Sequence, residues 1–132
     1  MNPFDHFVKE VLRAKYYLRY TDDFILLDEY PSVLASFLLP LKAFLRERLA
    51  LDLHPRKVSL SKFRQGIDFL GYVVLPHYCV LRTKTKQRMY RSLSREISPD
   101  RLQSYLGLLS HCSGHEHALR LRKMAISGRI DV

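Results

Sequence analysis

Two short runs of β-forming residues, separated by three polar ones, constrain the fold of this chain more than any other feature. Tyr16–Tyr20 precedes the polar break Thr21, Asp22 and Asp23, and Phe24–Leu27 follows it. Aromatic and branched residues favour strands, and a short polar break between two such runs is typical of a hairpin. The sequence therefore predicts an antiparallel hairpin with two adjacent aspartates at its tip.

Helical patterns flank this hairpin on both sides. An amphipathic helix is predicted to open the chain, because apolar residues from Phe4 to Leu12 recur at helical spacing. A second helix is predicted to begin at Pro31 and to end near Leu49 to Leu53, with Pro40 kinking or weakening its middle turn. A short strand is then predicted at residues 57–60.

The last part of the chain contains a second β-rich segment and further helical patterns. One long run, Ile67–Leu75, is predicted to form a hairpin with Cys79–Leu81. After Arg82 the spacing becomes helical. Helices are predicted through residues 83–97, from Ser98 to Cys112, and from about His115 to Ser127, ending at Gly128. The sequence thus predicts an α+β fold that changes near Thr83 from mixed α/β to all-helical.

Composition limits the class of protein. The chain has 132 residues, 47% of them hydrophobic, which suits one compact domain. No apolar stretch approaches the roughly 20 residues that a membrane-spanning helix needs, so no membrane partner is expected. The N-terminal residues lack the pattern of a secretory signal, and two cysteines are too few for a disulfide framework. We therefore expect a cytoplasmic, reduced protein.

Positive charge is concentrated at one end of the sequence. The net charge is +9; residues 82–132 contain eleven Lys or Arg against four Asp or Glu, and residues 1–81 contain eleven against nine. Such an asymmetry is expected of a surface that binds phosphates, because neutralising a polyanion releases its counterions. A solvated basic face is the alternative, and charge alone does not distinguish the two.

The adjacent aspartates are candidate metal ligands. Like charges a few ångströms apart repel unless a cation lies between them or water screens them. Mg²⁺ takes oxygen ligands from one or two carboxylates and leaves other positions to water and phosphates, as in nucleotidyl transfer by two metal ions about 4 Å apart. Taken alone, however, an Asp-Asp turn is more often a solvated loop.

The surrounding residues give this turn a family resemblance. The string Tyr20-Thr21-Asp22-Asp23-Phe24 resembles the Y-x-D-D motif of bacterial-type reverse transcriptases, the class that includes group II intron, retron and diversity-generating enzymes. Four further segments resemble family motifs in the same order: residues 2–12 the helix before Y-x-D-D, residues 51–57 and 66–73 the two motifs after it, and residues 102–107 the start of the thumb.

The resemblance implies a fold and a set of site residues. It implies a partial polymerase palm at residues 1–82, an antiparallel hairpin with flanking helices, followed by a helical thumb segment at residues 83–132. Catalytic metal ligands would be Asp22 and Asp23, with Mg²⁺ as the cofactor and Mn²⁺ as an alternative. The remaining implied roles are nucleotide binding by Tyr20, Thr21 and Lys57, a primer grip at Phe69, Leu70, Gly71 and Tyr72, and nucleic-acid backbone contact by Arg82, Lys84, Lys86 and Arg88.

The implied function is RNA-directed DNA polymerisation by a larger enzyme. Its partners would be an RNA template, a DNA primer, deoxynucleoside triphosphates and an N-terminal fingers-palm half that supplies the third aspartate, which this chain lacks. Only Asp5, Asp28 and Asp52 are nearby substitutes. Two other interpretations stay open: a nucleic-acid-binding module that retains the palm remnant and thumb, and an inactive truncated remnant.

Overall fold

The computed structural model describes residues 2–127, which form five α-helices and two small antiparallel sheets, so the predicted α+β class is confirmed. The chain divides into two compact units, with the boundary between Ser61 and Lys62. This boundary lies before the change of secondary structure near Thr83, because Tyr72 and Leu81 pack into the same core as the helices that follow. In residues 2–127 no helix combines the length and apolar character needed to cross a bilayer.

The first unit contains two helices and one hairpin. In chain order its elements are α1 (Asn2–His6), one π-helical turn (Phe7–Val11), β1 (Tyr16–Tyr20), β2 (Asp23–Leu27), α2 (Pro31–Leu49) and a 3₁₀ turn (Pro55–Lys57). The opening helix was predicted, but its π-helical turn was not. The wider π-helical turn changes the direction in which its last residue, Val11, points. Val11 is 64% exposed, although its spacing from Phe4 suggested burial.

The core of the first unit lies between α1, α2 and the hairpin. Phe4 and Val8 are fully buried, and Leu41 and Leu45 of α2 are nearly so. The Phe4 ring packs edge-on against Phe24 of β2, with ring centroids 5.0 Å apart. This packing holds α1 against the hairpin, and it fixes the strands that carry the turn residues.

Strands β1 and β2 form a tight antiparallel hairpin, as predicted. The register pairs Tyr16 with Leu27 and Tyr20 with Asp23, so only Thr21 and Asp22 form the turn. Burial alternates along β1: Tyr17 and Arg19 are half-buried, while the intervening side chains are exposed. One face of the hairpin therefore packs on the core, and the other presents Tyr16, Leu18 and Tyr20 to solvent.

Two local predictions in the first unit have different outcomes. Helix α2 is continuous from Pro31 to Leu49 with Pro40 inside it, and the expected kink or weakening at Pro40 stays a prediction. The strand predicted at residues 57–60 is wrong: Lys57 ends a 3₁₀ turn, and residues 58–62 have no regular structure. Alternating residues form a strand only where a neighbouring strand accepts their hydrogen bonds.

The second unit consists of a three-stranded sheet followed by three helices. Its elements are a 3₁₀ turn (Phe63–Gln65), β3 (Ile67–Phe69), β4 (Tyr72–Val74), β5 (Cys79–Leu81), α3 (Thr83–Arg95), α4 (Pro99–Ser110) and α5 (His115–Ser127). The long run predicted as one strand of a hairpin is divided by a turn at Leu70 and Gly71, giving the order β3-β4-β5. Both turn residues have positive φ, 53° and 86°, which breaks an extended strand.

The three predicted helices are confirmed, with small differences at their ends. Helix α3 ends at Arg95, so Ile97 lies beyond it, and the Ser98 side chain caps α4 by accepting a hydrogen bond from the Arg101 N–H at 3.3 Å. The predicted helix end at Gly128 lies outside the described residues. The core that these helices share with β5 contains Leu81, Met89, Leu93, Leu109, Leu121 and Met124.

Candidate active site

The end of the β1–β2 hairpin carries the candidate metal ligands. Asp22 is the second residue of the two-residue turn, and Asp23 begins β2 opposite Tyr20. Thr21 has φ of +51°, a left-handed conformation that is uncommon for a β-branched residue. The structure therefore brings Tyr20, Thr21 and both aspartates together at one turn, as the sequence predicted.

Both candidate carboxylates are available to bind a cation. Asp22 and Asp23 are exposed, and within residues 2–127 neither side chain forms a hydrogen bond or an ion pair. Adjacent carboxylates without a protein cation are suited to bind Mg²⁺, which accepts one or two carboxylates and completes its shell with water or phosphate. Among residues 2–127 both carboxylates are thus without a protein partner.

Among residues 2–127 a third carboxylate does not join these two. No group of three metal-ligating side chains occurs among residues 2–127. Each of the three substitutes suggested by the sequence has another partner: Asp5 is bound by Arg19, Asp28 accepts a hydrogen bond from the Tyr30 N–H, and Asp52 pairs with Arg46. The idea that one of them completes the ligand set is not supported by their contacts.

Arg19 connects the turn to the first helix. Its Nε and Nη2 donate to the two carboxylate oxygens of Asp5, both at 2.7 Å, and its Nη1 donates to the carbonyl oxygen of Thr21 at 2.8 Å. The Tyr17 hydroxyl donates to the same carboxylate at 2.6 Å. All three guanidinium nitrogens are thereby engaged, and one of them holds the backbone of the left-handed turn residue.

The contacts within this network fix the protonation states of Asp5 and Tyr17. Hydrogen bonds from Arg19 and then from Tyr17 hold the pKa of Asp5 well below its usual range. Burial, followed by the hydrogen bond to Asp5, raises the pKa of Tyr17 above its usual range. Asp5 is therefore ionised and Tyr17 neutral at physiological pH, which keeps every donor and acceptor of the network in place.

The side chain of Lys57 lies apart from any recorded partner. It ends the 3₁₀ turn Pro55–Lys57 in the first unit, its backbone N–H donates to the His54 carbonyl oxygen, and within the described chain its exposed side chain forms no hydrogen bond or ion pair. A free ammonium group here can meet a phosphate, but no contact joins it to the hairpin turn. Its proposed role beside a nucleotide stays a prediction.

The four residues of the implied primer grip form the turn between β3 and β4. Phe69 ends β3, and Leu70 and Gly71 form the turn. Tyr72 packs on the core of the second unit, and its hydroxyl donates to the Leu108 carbonyl oxygen at 2.9 Å. The φ of +86° at Gly71 favours glycine, while a Cβ there would lie 3.6 Å from Thr85 Oγ1, an ordinary contact.

The implied backbone-contact residues belong to the start of α3. Arg82 precedes the helix and its side chain is ion-paired with Asp68, so this guanidinium is already partly engaged. Lys84 and Arg88 are exposed one helical turn apart, and Lys86 is half-buried. Of the four residues, Lys84 and Arg88 are the best placed to contact phosphate.

Further along α3 the structure shows a basic groove that the sequence analysis did not predict. Arg88, Arg91 and Arg95 recur at spacings of three and four residues, which places them on one helix face. Arg101 of α4 completes this groove of about 430 Å³, which also includes Ser92. The signal was present in the sequence as the arginine spacing, but the contribution of α4 depends on how the helices pack.

No protein-family model matches the sequence, and no curated protein matches it. The structural observations above therefore carry the functional interpretation, together with the motif resemblance.

Proposed function

We propose that this chain is part of an RNA-directed DNA polymerase, a reverse transcriptase, in which Asp22 and Asp23 hold a divalent metal ion at the hairpin turn. The observation that supports this most directly is the pair of exposed, unpaired carboxylates on a turn whose backbone is held by a side chain. A solvated loop needs no such support. In the proposed enzyme the turn has to hold the carboxylates of Asp22 and Asp23 where both can bind the same metal ion.

Each candidate site residue has its own proposed role. Asp22 and Asp23 supply oxygen ligands, and bound Mg²⁺ or Mn²⁺ would polarise phosphoryl oxygens and neutralise charge that develops during nucleotidyl transfer. Tyr20, 58% exposed, and Thr21 would border the primer end and the incoming deoxynucleoside triphosphate. Lys57 would contribute a cation toward the leaving pyrophosphate.

The incomplete ligand set determines the expected behaviour of the isolated chain. Two carboxylates bind a divalent ion weakly, because water must fill the positions that further protein ligands would occupy. The proposed fingers-palm half would supply the third carboxylate and the nucleotide contacts. The chain alone is then expected to bind Mn²⁺ weakly and to show no primer extension.

Metal binding provides the first test. Free Mn²⁺ is measured by electron paramagnetic resonance during titration of the protein, with Asp22→Asn and Asp23→Asn as test variants and Glu47→Gln as a charge-matched control. Glu47 is exposed on α2 in the same unit. We expect each Asn variant to weaken binding at least tenfold and the control to leave it unchanged. Equal binding by all four proteins would contradict the proposal.

Polymerase activity provides the second test. Primer extension on an RNA template is measured with the chain alone and with an added fingers-palm fragment that carries the missing aspartate. We expect Mg²⁺-dependent extension only in the mixture, and its loss with Asp22→Asn. Extension by the chain alone, also lost with Asp22→Asn, would mean that its own residues complete the ligand set.

The basic groove supports a second candidate function, a nucleic-acid-binding module. Arg88, Arg91 and Arg95 around one groove suit a phosphate backbone, because a guanidinium can bind phosphate oxygens in a bidentate manner; Arg101, the fourth arginine of the groove, is ion-paired with Glu96. In this alternative the chain grips an RNA or a duplex without catalysing transfer. It requires nothing of Asp22.

Salt-dependent binding distinguishes the two functions. Affinity for a short RNA duplex is measured over a range of salt concentrations for Arg91→Gln combined with Arg95→Gln, and for Arg46→Gln combined with Arg48→Gln as the control of equal charge. We expect the first pair to reduce the slope of log K against log salt by about one for each lost contact. A binding module without catalysis would respond in this way while Asp22→Asn changed neither binding nor Mn²⁺ affinity.

A further inference from the structure

The conformation of the hairpin turn has a structural cause outside the turn itself. Thr21 is left-handed at φ +51°, and its branched side chain disfavours that conformation. A strained residue persists only where its surroundings hold it in place. The Arg19 Nη1 donates to the Thr21 carbonyl oxygen at 2.8 Å, so Arg19 is one side chain that holds Thr21 in this conformation.

Arg19 is itself held from the opposite side. The two carboxylate oxygens of Asp5 accept from Nε and Nη2, so the guanidinium plane is fixed by two hydrogen bonds and cannot rotate about its terminal bond without breaking them. Both side chains are mostly covered, with 22% of Arg19 and 27% of Asp5 exposed. Water therefore has limited access to the paired groups.

Asp5 in turn is placed by the core. It follows Phe4, which is fully buried and packs against the rings of Tyr17 and Phe24 from the two strands. Helix α1 thus contributes Phe4 to the core under the hairpin and the next residue, Asp5, to the ion pair with Arg19. A continuous set of contacts runs from the core, through Asp5 and Arg19, to the backbone of Thr21.

We infer that Asp5 and Arg19 are positioning residues for the metal-binding turn: they hold the Thr21 backbone left-handed, so that Asp22 and Asp23 are kept ready to bind one divalent cation. This rests on the proposed metal-binding function of the two aspartates. The role requires the planar guanidinium with its three donor nitrogens, not merely a positive charge near two carboxylates.

The test compares variants that separate geometry from charge. Arg19→Lys keeps the positive charge but cannot bridge both Asp5 oxygens and the Thr21 carbonyl group. Tyr17→Phe removes one hydrogen bond to Asp5 and leaves every bond of Arg19 intact, so it controls for a general loss of stability. Asp5→Glu retains both charges and moves the guanidinium by one methylene group.

Two readouts are measured on the full chain. The first is Mn²⁺ affinity by electron paramagnetic resonance, and the second is the φ angle of Thr21 from its amide NMR coupling constant. We expect Arg19→Lys to weaken Mn²⁺ binding at least fivefold and to change the coupling constant. We expect Tyr17→Phe to leave both unchanged even where its unfolding temperature falls. If Arg19→Lys does not fold, Asp5→Glu is measured in its place, with the same shifts expected.

The outcomes separate this inference from the proposed function. Wild-type binding of Mn²⁺ with an Arg19→Lys variant that binds equally well and keeps the Thr21 angle would overturn the inference and leave the function standing. Absence of Mn²⁺ binding by the wild type would overturn the function. In that case the Thr21 angle decides the inference alone: a change in Arg19→Lys supports the positioning role, and an unchanged angle refutes it.

Discussion

The two tight hairpin turns of this protein have the same length but differ in the backbone conformation of their second residue and in their support. Each has two residues between its paired strands, and the first residue of each is left-handed, with φ of +51° at Thr21 and +53° at Leu70. The second turn follows with Gly71, which adopts positive φ without steric cost. The first follows with Asp22 and receives a hydrogen bond from Arg19 instead.

The difference shows what a turn needs when it carries charge. Gly71 gives its turn a positive φ at the second position but contributes no side chain, whereas Asp22, which does not have positive φ, contributes a carboxylate, and its turn receives a side-chain hydrogen bond from Arg19. The β1–β2 turn therefore depends on residues outside it, and the β3–β4 turn depends on its own glycine. Substitutions that remove one kind of support should affect only one hairpin.

The largest effects are expected in the cores beneath the hairpins. Phe4 is fully buried below the first hairpin, and Leu81, in the sheet that contains the second, is 3% exposed. We expect Phe4→Ala to lower the free energy of unfolding by about 3–5 kcal/mol and Leu81→Ala by about 2–5 kcal/mol. Urea denaturation measures both.

An exposed residue controls for the core substitutions. Leu39 is 76% exposed on α2. We expect Leu39→Ala to change the free energy of unfolding by no more than about 0.5 kcal/mol. A loss of similar size in Phe4→Ala and Leu39→Ala would show that Phe4 is not packed as described.

Substitution of the glycine should affect the second hairpin alone. Because a side chain at φ +86° is disfavoured, we expect Gly71→Ala to cost about 1–2 kcal/mol of stability, although Thr85 leaves room for the added carbon. Gly107 lies inside α4 with no atom within 4 Å of an added Cβ, so Gly107→Ala should instead stabilise by about 0.5–1 kcal/mol. Opposite signs in thermal denaturation are expected, and a loss in both would contradict this account of Gly71.

Acid should weaken the first hairpin through Asp5. Its pKa is lower in the folded protein than in the unfolded chain, so the unfolded state takes up the proton first as pH falls. The stabilisation is fully present above pH about 4 and is lost as pH falls below it toward the folded-state value. We expect Asp5→Asn to remove part of this loss in urea denaturation at pH 2–6. An unchanged pH dependence in Asp5→Asn would show that the ion pair with Arg19 contributes nothing.

The smallest effects are expected from relieving strain at the left-handed residues. Asn tolerates this conformation better than threonine or leucine, so Thr21→Asn and Leu70→Asn should each stabilise by up to about 1 kcal/mol. Calorimetry measures both. A gain at Leu70 without one at Thr21 would show that the contact from Arg19 already offsets the strain of the first turn.

Much of the fold followed from local patterns in the sequence. The β1–β2 hairpin, α2 and the helices of the second unit were predicted because apolar residues recur at the spacing of strands and helices, and because Ser98 and the prolines mark helix starts. The exceptions were residues 57–60 and the division of the β3–β4 run. Both depend on which backbone groups find partners in space, and spacing alone does not specify that.

The candidate site was predictable only in part. Adjacent Asp22 and Asp23 between two β-forming runs identified the turn, and the arginine spacing in α3 was visible in the sequence. The role of Asp5 was not visible, since it lies fourteen residues from Arg19. It had been considered as a third metal ligand, and its contacts assign it instead to the guanidinium.

The sequence by itself determined the α+β class, most of the helices and the location of two aspartates at a hairpin end, because these follow from the periodicity of neighbouring residues. Only the tertiary structure decided the left-handed Thr21, the contact of Arg19 with its carbonyl oxygen, and the grouping of the β3–β5 sheet with the helices after it. Those features arise where residues distant in sequence meet, and their energies depend on distances that a linear pattern does not contain.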